Sequence, residues 1–411
     1  MRPLDPALGP ETAFAALRRA GAPSIFFDGR GGHDGAWPCR LAIDPRLTPV
    51  DTISDVDRIV ARRRAAGGPG GTGVALLASY EGGLTAFEID ASIAFPDGRP
   101  AMAIGRRDLV LRAETALSRR PSPAPQGSTL VSGRPRTSLP REAYLRAVLR
   151  VKDYIAEGDL YQANLTQRFE APFDADPWDL YRAIGEATPA PRSAYVEAPE
   201  LALASMSPEI FVEVSSAGDA ETRPIKGTRP RGGTAAADAE AARELLASTK
   251  DRAELVMIVD VLRNDLGRVS RIGSVSVPEL LALRSYPAVH HLVARVQSSL
   301  RPGLTFAELF EAVFPGGSIT GAPKERAIQR LAAIETCPRG LYTGSLFWLD
   351  DDGSIASSIL IRSAVVANGR VHVGAGGGIV ADSDPEAEWS EANAKARALT
   401  QALGFEPEEA A

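Results

Sequence analysis

A clear periodic pattern of apolar and polar positions runs through residues 250–266 and has the spacing of an α-helix. The apolar residues of this stripe are Leu255, Ile258, Val259, Leu262 and Leu266. Residues three and four apart share one face of a helix, so the pattern predicts a helix that buries this face. Gly267 follows the stripe, and glycine is common where helices end.

Two further helices are predicted from their boundaries. One is expected after Ser138, a capping residue type, with Pro140 near its first turn and Gly158 at its end. Its apolar stripe consists of Tyr144, Val148, Val151 and Ile155. The other is expected to start after the Asp-Pro pair at 384–385 and to end at Gly404.

Strand patterns lie between these helices. Residues 160–166 have the composition of a strand. Residues 341–373 contain three β-rich runs, separated by Asp-Asp-Asp-Gly at 350–353 and by Asn-Gly at 368–369. Asp-Gly and Asn-Gly between such runs are hairpin signals. The chain is therefore predicted to be an α+β protein with large mixed or antiparallel sheets, and a doubly wound parallel sheet is not expected.

One change in composition divides the chain. Residues 121–138 are rich in Pro, Ser, Gly and Arg and lack an apolar period, so we predict a loop or linker there. Residues 1–120 are expected to be an N-terminal region of the same compact fold. Residues 139–404 contain nearly all the informative motifs and are predicted to hold the chemistry. The 411 residues suffice for two average domains or one large one.

Composition and charge exclude several functions. A net charge of −6 argues against a general nucleic-acid binder, which needs a broad basic face. The two cysteines, Cys39 and Cys337, form no disulfide framework. The first residues lack a signal-peptide pattern, and no window approaches the roughly 20 apolar residues that span a bilayer. We therefore expect a cytoplasmic protein without membrane contact.

Lys226 is the first candidate for covalent chemistry. It lies between proline and glycine in the run Arg-Pro-Ile-Lys-Gly-Thr at 223–228, which constrains its backbone. The neighbouring Arg223, Arg229 and Arg231 are expected to favour its neutral, nucleophilic amine. Taken alone, the hexapeptide fits a solvated basic loop better than a nucleophilic site.

Two predicted helices carry acids that could bind a metal ion. Asp251 and Glu254 are three residues apart on one helix, and Glu388 and Glu391 are three apart on another. Facing carboxylates suit Mg²⁺, which prefers oxygen ligands. Acids near helix starts are also common because they complement the helix dipole, so spacing alone leaves both interpretations open.

Two glycine-rich segments resemble nucleotide-binding loops but fail the pattern. Residues 316–324 lack Gly-Lys-Ser/Thr, and Pro323 instead fits a first helical position. This loop could bind a carboxylate at a helix start or be a structural turn. Residues 374–378 follow a strand, but no helix opens after them. They fit a bulged strand or a backbone that a ligand approaches closely.

His291 and Arg362 are further candidates. The His290-His291 pair has no ligand partners at zinc spacing, so each is a structural histidine or a general acid. Arg362 interrupts an apolar strand pattern. An unpaired arginine there is costly, so a carboxylate partner is expected from the protein or from a ligand.

Seven motifs then occur in one order. They are Ser-Pro-Glu at 207–209, Pro-Ile-Lys-Gly-Thr at 224–228, Lys-Asp-Arg-Ala-Glu at 250–254, Arg-Asn-Asp-Leu at 263–266, His-His-Leu-Val at 290–293, Gly-Ala-Pro-Lys at 321–324 and Gly-Ile-Val-Ala-Asp-Ser at 378–383. Together they closely resemble the chorismate-utilising enzymes and, among these, the aminodeoxychorismate synthase component I branch. The resemblance covers residues 139–403 and implies the fold of anthranilate synthase component I, with large sheets packed as a sandwich and surrounding helices.

The resemblance also implies roles for individual residues. Lys226 would be the nucleophile, Glu209 the general acid and base, and His291 a further catalytic residue near the substrate hydroxyl. Mg²⁺ would be held by Glu254 and Glu391, with Glu388 close by. The implied substrate-binding residues are Ser318, Tyr342, Arg362, Gly376, Gly378 and Lys324.

The choice among activities in this family depends on two positions. The resemblance implies Ala in place of Lys226 in anthranilate synthases, and a lysine base in place of Gln162 in isochorismate and salicylate synthases. Lys226 with Gln162 thus implies conversion of chorismate and ammonia to 4-amino-4-deoxychorismate, for p-aminobenzoate and folate synthesis. A separate glutamine amidotransferase subunit is expected to supply ammonia. The alternative is the large subunit of an anthranilate or 2-amino-2-deoxyisochorismate synthase.

Overall fold

Two large antiparallel β-sheets form the centre of the molecule. The structure is a computed structural model and describes residues 2–4, 9–18, 23–28, 37, 39–95, 101–117, 130–131, 133–286 and 289–409. Most of the loop predicted at 121–138 lies outside these residues. Its described end includes Arg136–Thr137, which pairs with a strand of the first sheet.

The helices vary from two to five turns. They are α1 (Pro10–Leu17), α2 (Ile53–Ala65), α3 (Arg107–Leu117), α4 (Arg141–Ala156), α5 (Pro177–Ala187), α6 (Ala235–Ala247), α7 (Thr249–Gly267), α8 (Phe306–Val313), α9 (Lys324–Ala332) and α10 (Pro385–Leu403). Short 3-10 turns lie at Gly317–Ile319 and Pro407–Glu409. Within the described ranges, no helix combines the length and the apolar character that crossing a bilayer requires.

The strands alternate between the two sheets along the chain. They are β1 (Arg2–Pro3), β2 (Ser24–Asp28), β3 (Arg40–Ala42), β4 (Arg46–Thr48), β5 (Gly73–Ala78), β6 (Leu84–Ile89), β7 (Ala91–Ala94), β8 (Met102–Gly105), β9 (Arg136–Thr137), β10 (Gln162–Pro172), β11 (Arg192–Ala198), β12 (Leu201–Ser207), β13 (Glu213–Val214), β14 (Asp219–Thr222), β15 (Ile225–Pro230), β16 (Ser276–Ser285), β17 (Val289–Ser299), β18 (Gly321–Ala322), β19 (Ser345–Asp350), β20 (Ile355–Ile359), β21 (Ser363–Ala367) and β22 (Arg370–Ile379).

The strand order shows how the N-terminal and C-terminal parts interleave. Among the described residues, the first sheet has the order β1-β8-β7-β3-β2-β11-β12-β21-β22-β10-β18, with β9 also on β10. The second has the order β15-β17-β14-β13-β20-β19-β5-β6-β4, with β16 also on β17. Side chains of both sheets, including Phe27, Val196, Leu77 and Trp348, form one buried cluster between them. The predicted α+β sandwich with surrounding helices is confirmed.

Helices cover the outer faces of the sandwich. Those of the first sheet include α1, α5 and α10, which bury Phe14, Trp178 and Leu399. Those of the second sheet include α2, α7 and α8. The stripe predicted for α7 is buried, and Ser248 caps the helix through the Asp251 backbone N–H. The apolar stripe of each of these helices thus packs on the outer face of a sheet.

The boundaries of α10 confirm the sequence prediction, whereas the start of α4 differs from it. Asp384 caps α10 and Gly404 ends it with a left-handed φ of 94°. In α4 the N-cap residue is Pro140, which gives no side-chain cap. Ser138 instead accepts a hydrogen bond from the Arg168 backbone N–H of β10 at 2.9 Å, so its hydroxyl pins the preceding loop to the sheet.

The strands predicted within 341–373 form hairpins, but they do not stay in one sheet. β19 pairs with β20 in the second sheet, and β21 pairs with β22 in the first. The single strand predicted between the two turns is therefore two strands, separated at residues 360–362. Arg362 in this break has a left-handed φ of 48°. The Asn368-Gly369 turn has positive φ at both residues, as expected for a tight hairpin.

The glycine-rich segment predicted as a bulged strand is regular. β22 pairs with β10 without a register shift from Arg370 to Ile379. Close packing explains the glycines. A Cβ at Gly376 would lie 2.2 Å from the Leu165 carbonyl oxygen, and one at Gly374 would lie 2.1 Å from Cγ of Tyr342. The end of β22 is therefore bare backbone that neighbouring groups approach closely.

Candidate active site

A cavity of about 630 Å³ opens where β22 of the first sheet faces β15 and β17 of the second. Its predicted site residues are Glu209, Lys226, Glu254, His291, Ser318, Tyr342, Arg362, Gly376, Gly378 and Glu391. A larger cavity of about 770 Å³ near β2, β14 and β19 contains none of the predicted residues. Residues from nine separate segments of the chain thus converge on one cavity, which is the candidate active site.

The backbone around Lys226 has an irregularity that orients its side chain. Lys226 pairs with Leu292 and Thr228 with His291, so Gly227 is an extra residue in β15, a β-bulge. Gly227 has a φ of 69°, and a Cβ there would lie 2.6 Å from Cδ1 of Leu245. Only glycine fits this conformation and this space without strain.

The Lys226 amine is partly buried, and its surroundings act on its charge in opposite directions. It donates a hydrogen bond to the Ser318 carbonyl oxygen at 3.2 Å. Burial lowers the pKa of Lys226 and the Lys395 ammonium lowers it further, whereas Glu209, Glu254 and Glu391 oppose the shift. The net direction is downward, which favours the neutral amine.

The expectation that neighbouring arginines cause this shift is wrong. Arg223 is paired with Glu221, and Arg231 is paired with Asp238. Arg229 lines the cavity but contacts Glu244 and Asp251. Each guanidinium is therefore neutralised locally, and desolvation dominates instead.

Glu209 lies just beyond β12 and is buried, at 6% exposure. Burial raises its pKa, while the Lys226 charge, the Ser318 hydroxyl and the Ile225 backbone N–H partly offset this. The Ser318 hydroxyl has no partner with hydrogen-bond geometry among the described residues, so it lies close to Glu209 without a formed bond. A carboxyl whose pKa is raised is suited to donate a proton near neutral pH.

Glu254 and Glu391 line the opposite wall, and a third carboxylate lies behind them. Burial raises the pKa of Glu254, against the charges of Lys226 and Lys250. Burial also acts to raise the pKa of Glu391, but the adjacent Lys395 outweighs it, and the net pKa is lowered. Glu388 lies behind them at 3% exposure and accepts a hydrogen bond from the Ser383 hydroxyl at 2.7 Å.

These carboxylates have the right donor atoms for Mg²⁺, but they do not converge on one point. A Cβ at Gly377 would lie 3.1 Å from Oε2 of Glu388 and 3.9 Å from Oε1 of Glu391, so the glycine leaves space between the two acids. Across the described part of the chain, no group of three His, Cys, Asp or Glu side chains is arranged to hold a metal ion. The donor chemistry and the open space fit a hard cation, whereas the present side-chain positions do not yet enclose one.

Arg362 faces the cavity without a counter-charge. None of the described carboxylates forms an ion pair with its guanidinium, and burial lowers its pKa with no opposing acid. A left-handed φ of 48° adds backbone strain. The sequence allows either a protein carboxylate or a ligand as the partner of Arg362. Because none of the described carboxylates has this role, an anionic ligand is the expected partner.

Tyr342 lines the glycine-rich wall, and Gln162 packs against the same strand outside the cavity lining. The Tyr342 ring packs on Gly374, and burial raises the pKa of its phenol. Both amide atoms of Gln162 are buried without a partner among the described residues, and Nε2 would lie 2.2 Å from a Cβ at Gly378. The bare β22 backbone therefore lets both side chains approach the cavity wall.

The two adjacent histidines have different environments. His291 Nδ1 lies 2.9 Å from the Thr228 hydroxyl, and burial lowers the pKa of His291 to about 4. His291 is therefore neutral at neutral pH. His290 points away and contacts Ser285 and Asp238.

Lys324 is the predicted substrate-binding residue that the structure does not bring to the cavity. Its ammonium lies 2.6 Å from Asp265 and donates to the Val313 carbonyl oxygen at 3.0 Å. The helix α9 begins after Pro323, one residue later than expected, and directs Lys324 to α7. Lys324 is therefore a structural cation beneath the cavity.

Several lining residues were not predicted from the sequence. They include Asn164, Thr228, Lys250 and Lys395. Lys395 lies four residues after Glu391 on α10, a spacing that pairs opposite charges on one helix face and could have identified it. Asn164 has no such signal, since only the pairing of β10 with β22 brings it to the site.

Comparisons with known proteins agree with this geometry. The sequence model of the chorismate binding enzyme family matches residues 98–401. Aminodeoxychorismate synthase component 1 of Klebsiella aerogenes is 42% identical over 319 residues, covering 74% of this chain and 70% of that protein. Anthranilate synthase component 1 of Pseudomonas aeruginosa is 42% identical over 270 residues, covering 66% of this chain but only 55% of the relative.

The fold is also found among solved structures. Anthranilate synthase component I from Streptococcus pneumoniae superimposes with a TM-score of 0.75 at 25% identity, covering 93% of this chain and 91% of that one. Sequence motifs, cavity and fold therefore agree on one group of proteins. On this evidence the chain belongs to the family of chorismate binding enzymes.

Proposed function

We propose that this protein is an aminodeoxychorismate synthase, which converts chorismate and ammonia to 4-amino-4-deoxychorismate through a covalent bond to Lys226. The observation that carries the proposal is the position of the Lys226 amine. The amine is partly buried in the cavity and interacts with the charges of Glu209 and Glu254. A lysine whose pKa is lowered by desolvation is a typical covalent nucleophile.

The first step forms the bond to Lys226. Its neutral amine attacks ring carbon 2 of chorismate, and the two ring double bonds shift as the bond from carbon 4 to its hydroxyl breaks. Glu209, protonated because burial raises its pKa, gives its proton to the departing hydroxyl, which leaves as water. The attacking nitrogen then loses one proton.

The second step releases the lysine. Ammonia forms a bond to carbon 4, the double bonds shift back, and the bond between carbon 2 and Lys226 breaks. The lysine nitrogen takes up a proton as it leaves, and the Glu209 carboxylate accepts one from the newly bound ammonium. Two allylic substitutions thus replace one direct displacement.

Other cavity residues would bind and orient the substrate. Arg362 supplies an unpaired cation for the enolpyruvyl carboxylate, with Tyr342 beside it. His291, neutral and bonded to Thr228, can hydrogen-bond a hydroxyl without adding charge. Mg²⁺ would be held by Glu254 and Glu391, with Glu388 close by, and would act as a Lewis acid on the ring carboxylate.

Amination at carbon 2, as in anthranilate or 2-amino-2-deoxyisochorismate synthesis, is the second candidate. It is favoured by the 42% identity to an anthranilate synthase, the same value as for the aminodeoxychorismate synthase relative. Overall identity thus does not separate the two activities. Lys226 separates them, because attack of ammonia at carbon 2 needs no lysine nucleophile there. A glutamine amidotransferase partner would supply ammonia in either case, and free ammonium replaces it in an assay.

Replacement of Lys226 tests the proposal. With chorismate, Mg²⁺ and ammonium, the wild-type protein is expected to form 4-amino-4-deoxychorismate, identified by chromatography and mass spectrometry. Lys226→Ala is expected to reduce this product by at least about 10³-fold and to direct residual turnover to amination at carbon 2. Lys226→Arg is the matched control, because it keeps the charge and loses the nucleophile. Normal product formation by either variant would remove Lys226 from the mechanism.

The pH dependence of adduct formation tests Glu209. The step needs a neutral Lys226 and a protonated Glu209, so it fails at low pH, where both are protonated, and at high pH, where neither is. We expect a bell-shaped rate across about pH 5 to 10, measured by rapid quench without ammonia. Glu209→Gln should lose the fall at high pH and react about 10²–10⁴-fold more slowly. An alkaline fall that persists in this variant would contradict the role of Glu209.

Replacement of Arg362 is expected to separate stability from binding. Arg362→Gln keeps the same backbone strain but removes a desolvated, unpaired cation, so the free energy of unfolding should rise by about 1 kcal/mol in urea titrations. Chorismate affinity, measured by calorimetry without ammonia, should fall about 10- to 100-fold, since one charged hydrogen-bonding group is lost. Arg362→Lys, which keeps the charge, should show no gain in stability. A less stable Arg362→Gln protein would contradict the unpaired cation.

A further inference from the structure

Glu391, which lines the cavity, and Glu388, which is buried behind it, each have an ammonium partner. The Lys395 Nζ atom lies 2.7 Å from Oε1 of Glu391, and the Lys250 Nζ atom lies 3.3 Å from Oε1 of Glu388. Lys395 also donates to the Gly376 carbonyl oxygen at 3.1 Å. Two of the three acids assigned to the Mg²⁺ site, Glu391 and Glu388, are thus engaged by cations that belong to the chain itself.

Helix geometry places these groups along one line. Glu388, Glu391 and Lys395 are spaced by three and four residues on α10, so they share the face that packs on the glycine-rich end of β22. A Cβ at Gly377 would lie within 4 Å of all three: 3.1 Å from Glu388, 3.9 Å from Glu391 and 3.8 Å from the Lys395 ammonium. The lysine therefore occupies the same space beside the carboxylates that a metal ion would need.

A divalent cation and this ammonium cannot share the Glu391 oxygen. Mg²⁺ requires oxygen ligands at about 2.0–2.1 Å in a near-octahedral arrangement. An ammonium on the same carboxylate oxygen would lie next to the metal ion and be repelled by its positive charge. The Lys395–Glu391 pair is about half exposed, with 48% and 50% of the two side chains accessible. Such pairs contribute little net free energy, so a metal ion can displace the lysine at small cost.

We propose that Lys395 is a positioning residue: a built-in counter-ion that holds Glu391 in the metal-free protein and must be displaced before a divalent cation binds. The proposal rests on the metal site assigned under the proposed function. It accounts for the absence, among the described residues, of a preassembled group of metal ligands. Lys250 is the corresponding counter-ion of the buried Glu388, and the Lys250 side chain is 48% exposed.

The arrangement also gives the metal-free cavity its charge balance. Without a cation, Glu388 and Glu391 would be neighbouring carboxylates, one of them buried, and their mutual repulsion would be costly. Lys395 and Lys250 neutralise both acids at rest. When a divalent ion takes over this role, the Lys395 ammonium is released at the cavity wall, where it already lines the space around Lys226.

Direct binding of Mn²⁺, an oxygen-preferring probe for the Mg²⁺ site, tests the proposal without turnover. The dissociation constant is measured by electron paramagnetic resonance on the full chain in the absence of chorismate. Lys395→Met removes the competing ammonium and is expected to bind Mn²⁺ roughly two- to fivefold more tightly than the wild type. Lys395→Arg keeps a competing charge and is expected to stay within about 1.5-fold of the wild type.

Arg397→Met is the matched control for a general change in charge. Arg397 lies on the same helix, but it is half exposed and paired with Glu406 and Glu408, so its loss should alter the Mn²⁺ constant by less than about 1.5-fold. Equal tightening in this control, or unchanged or weaker binding in Lys395→Met, would overturn the proposal. A wild type that binds no Mn²⁺ would overturn it together with the metal site.

The proposed function and the counter-ion role of Lys395 are contradicted by different results. If the wild-type protein makes no 4-amino-4-deoxychorismate, the proposed function is wrong, whatever the metal constants are. If it makes this product and Lys395→Met does not tighten Mn²⁺ binding, only the counter-ion role is wrong. Thermal unfolding in a chelator verifies that each variant is folded before its metal constant is interpreted.

Discussion

Desolvation of the Lys226 amine is the constraint on which the rest of the site depends. An amine with an ordinary pKa is protonated at neutral pH and is not a nucleophile. Burial lowers the pKa of Lys226, and the nearby Lys395 ammonium acts in the same direction. Glu209 and Glu254 oppose the shift but do not reverse its direction. This environment results from the β-bulge at Gly227 and from the two sheets that face each other across the cavity.

The free protein holds a set of charges that are only partly balanced. Arg362 has no counter-charge among the described residues, whereas Glu388 and Glu391 are paired with Lys250 and Lys395. An anionic substrate and a divalent cation would together satisfy all of these groups. The backbone strain and the desolvated charges at the site lower the stability of the free protein, and ligand binding relieves this cost. The packed sandwich around the site contributes the stability that offsets it.

Local patterns in the sequence identified the elements that they alone determine. The stripe and caps of α7 and α10, and the Asn368-Gly369 hairpin turn, depend on residues close in sequence, so they could be predicted. The break at residues 360–362 could not, because the crossing from one sheet to the other depends on distant strands. The Ser138 hydroxyl does not cap α4, because it accepts a hydrogen bond from the Arg168 backbone N–H of β10 instead.

The residues of the site show the same division. Ten of the twelve residues that the family resemblance implied line the cavity. Glu388 is buried outside this lining, and Lys324 pairs with Asp265, which is 59 residues away in sequence. Pairing of Arg223 and Arg231 with nearby acids likewise removed the arginine effect expected on Lys226. Motifs thus indicated which residues matter, whereas side-chain partners required the fold.

The most direct test of the covalent mechanism is the intact mass of the protein after incubation with chorismate and Mg²⁺ in the absence of ammonia. The covalent mechanism predicts a mass increase equal to chorismate minus one water, located by peptide mapping at Lys226 and lost when ammonium is added. A protein that forms 4-amino-4-deoxychorismate while its mass never changes, or that carries the adduct on another residue, would contradict it.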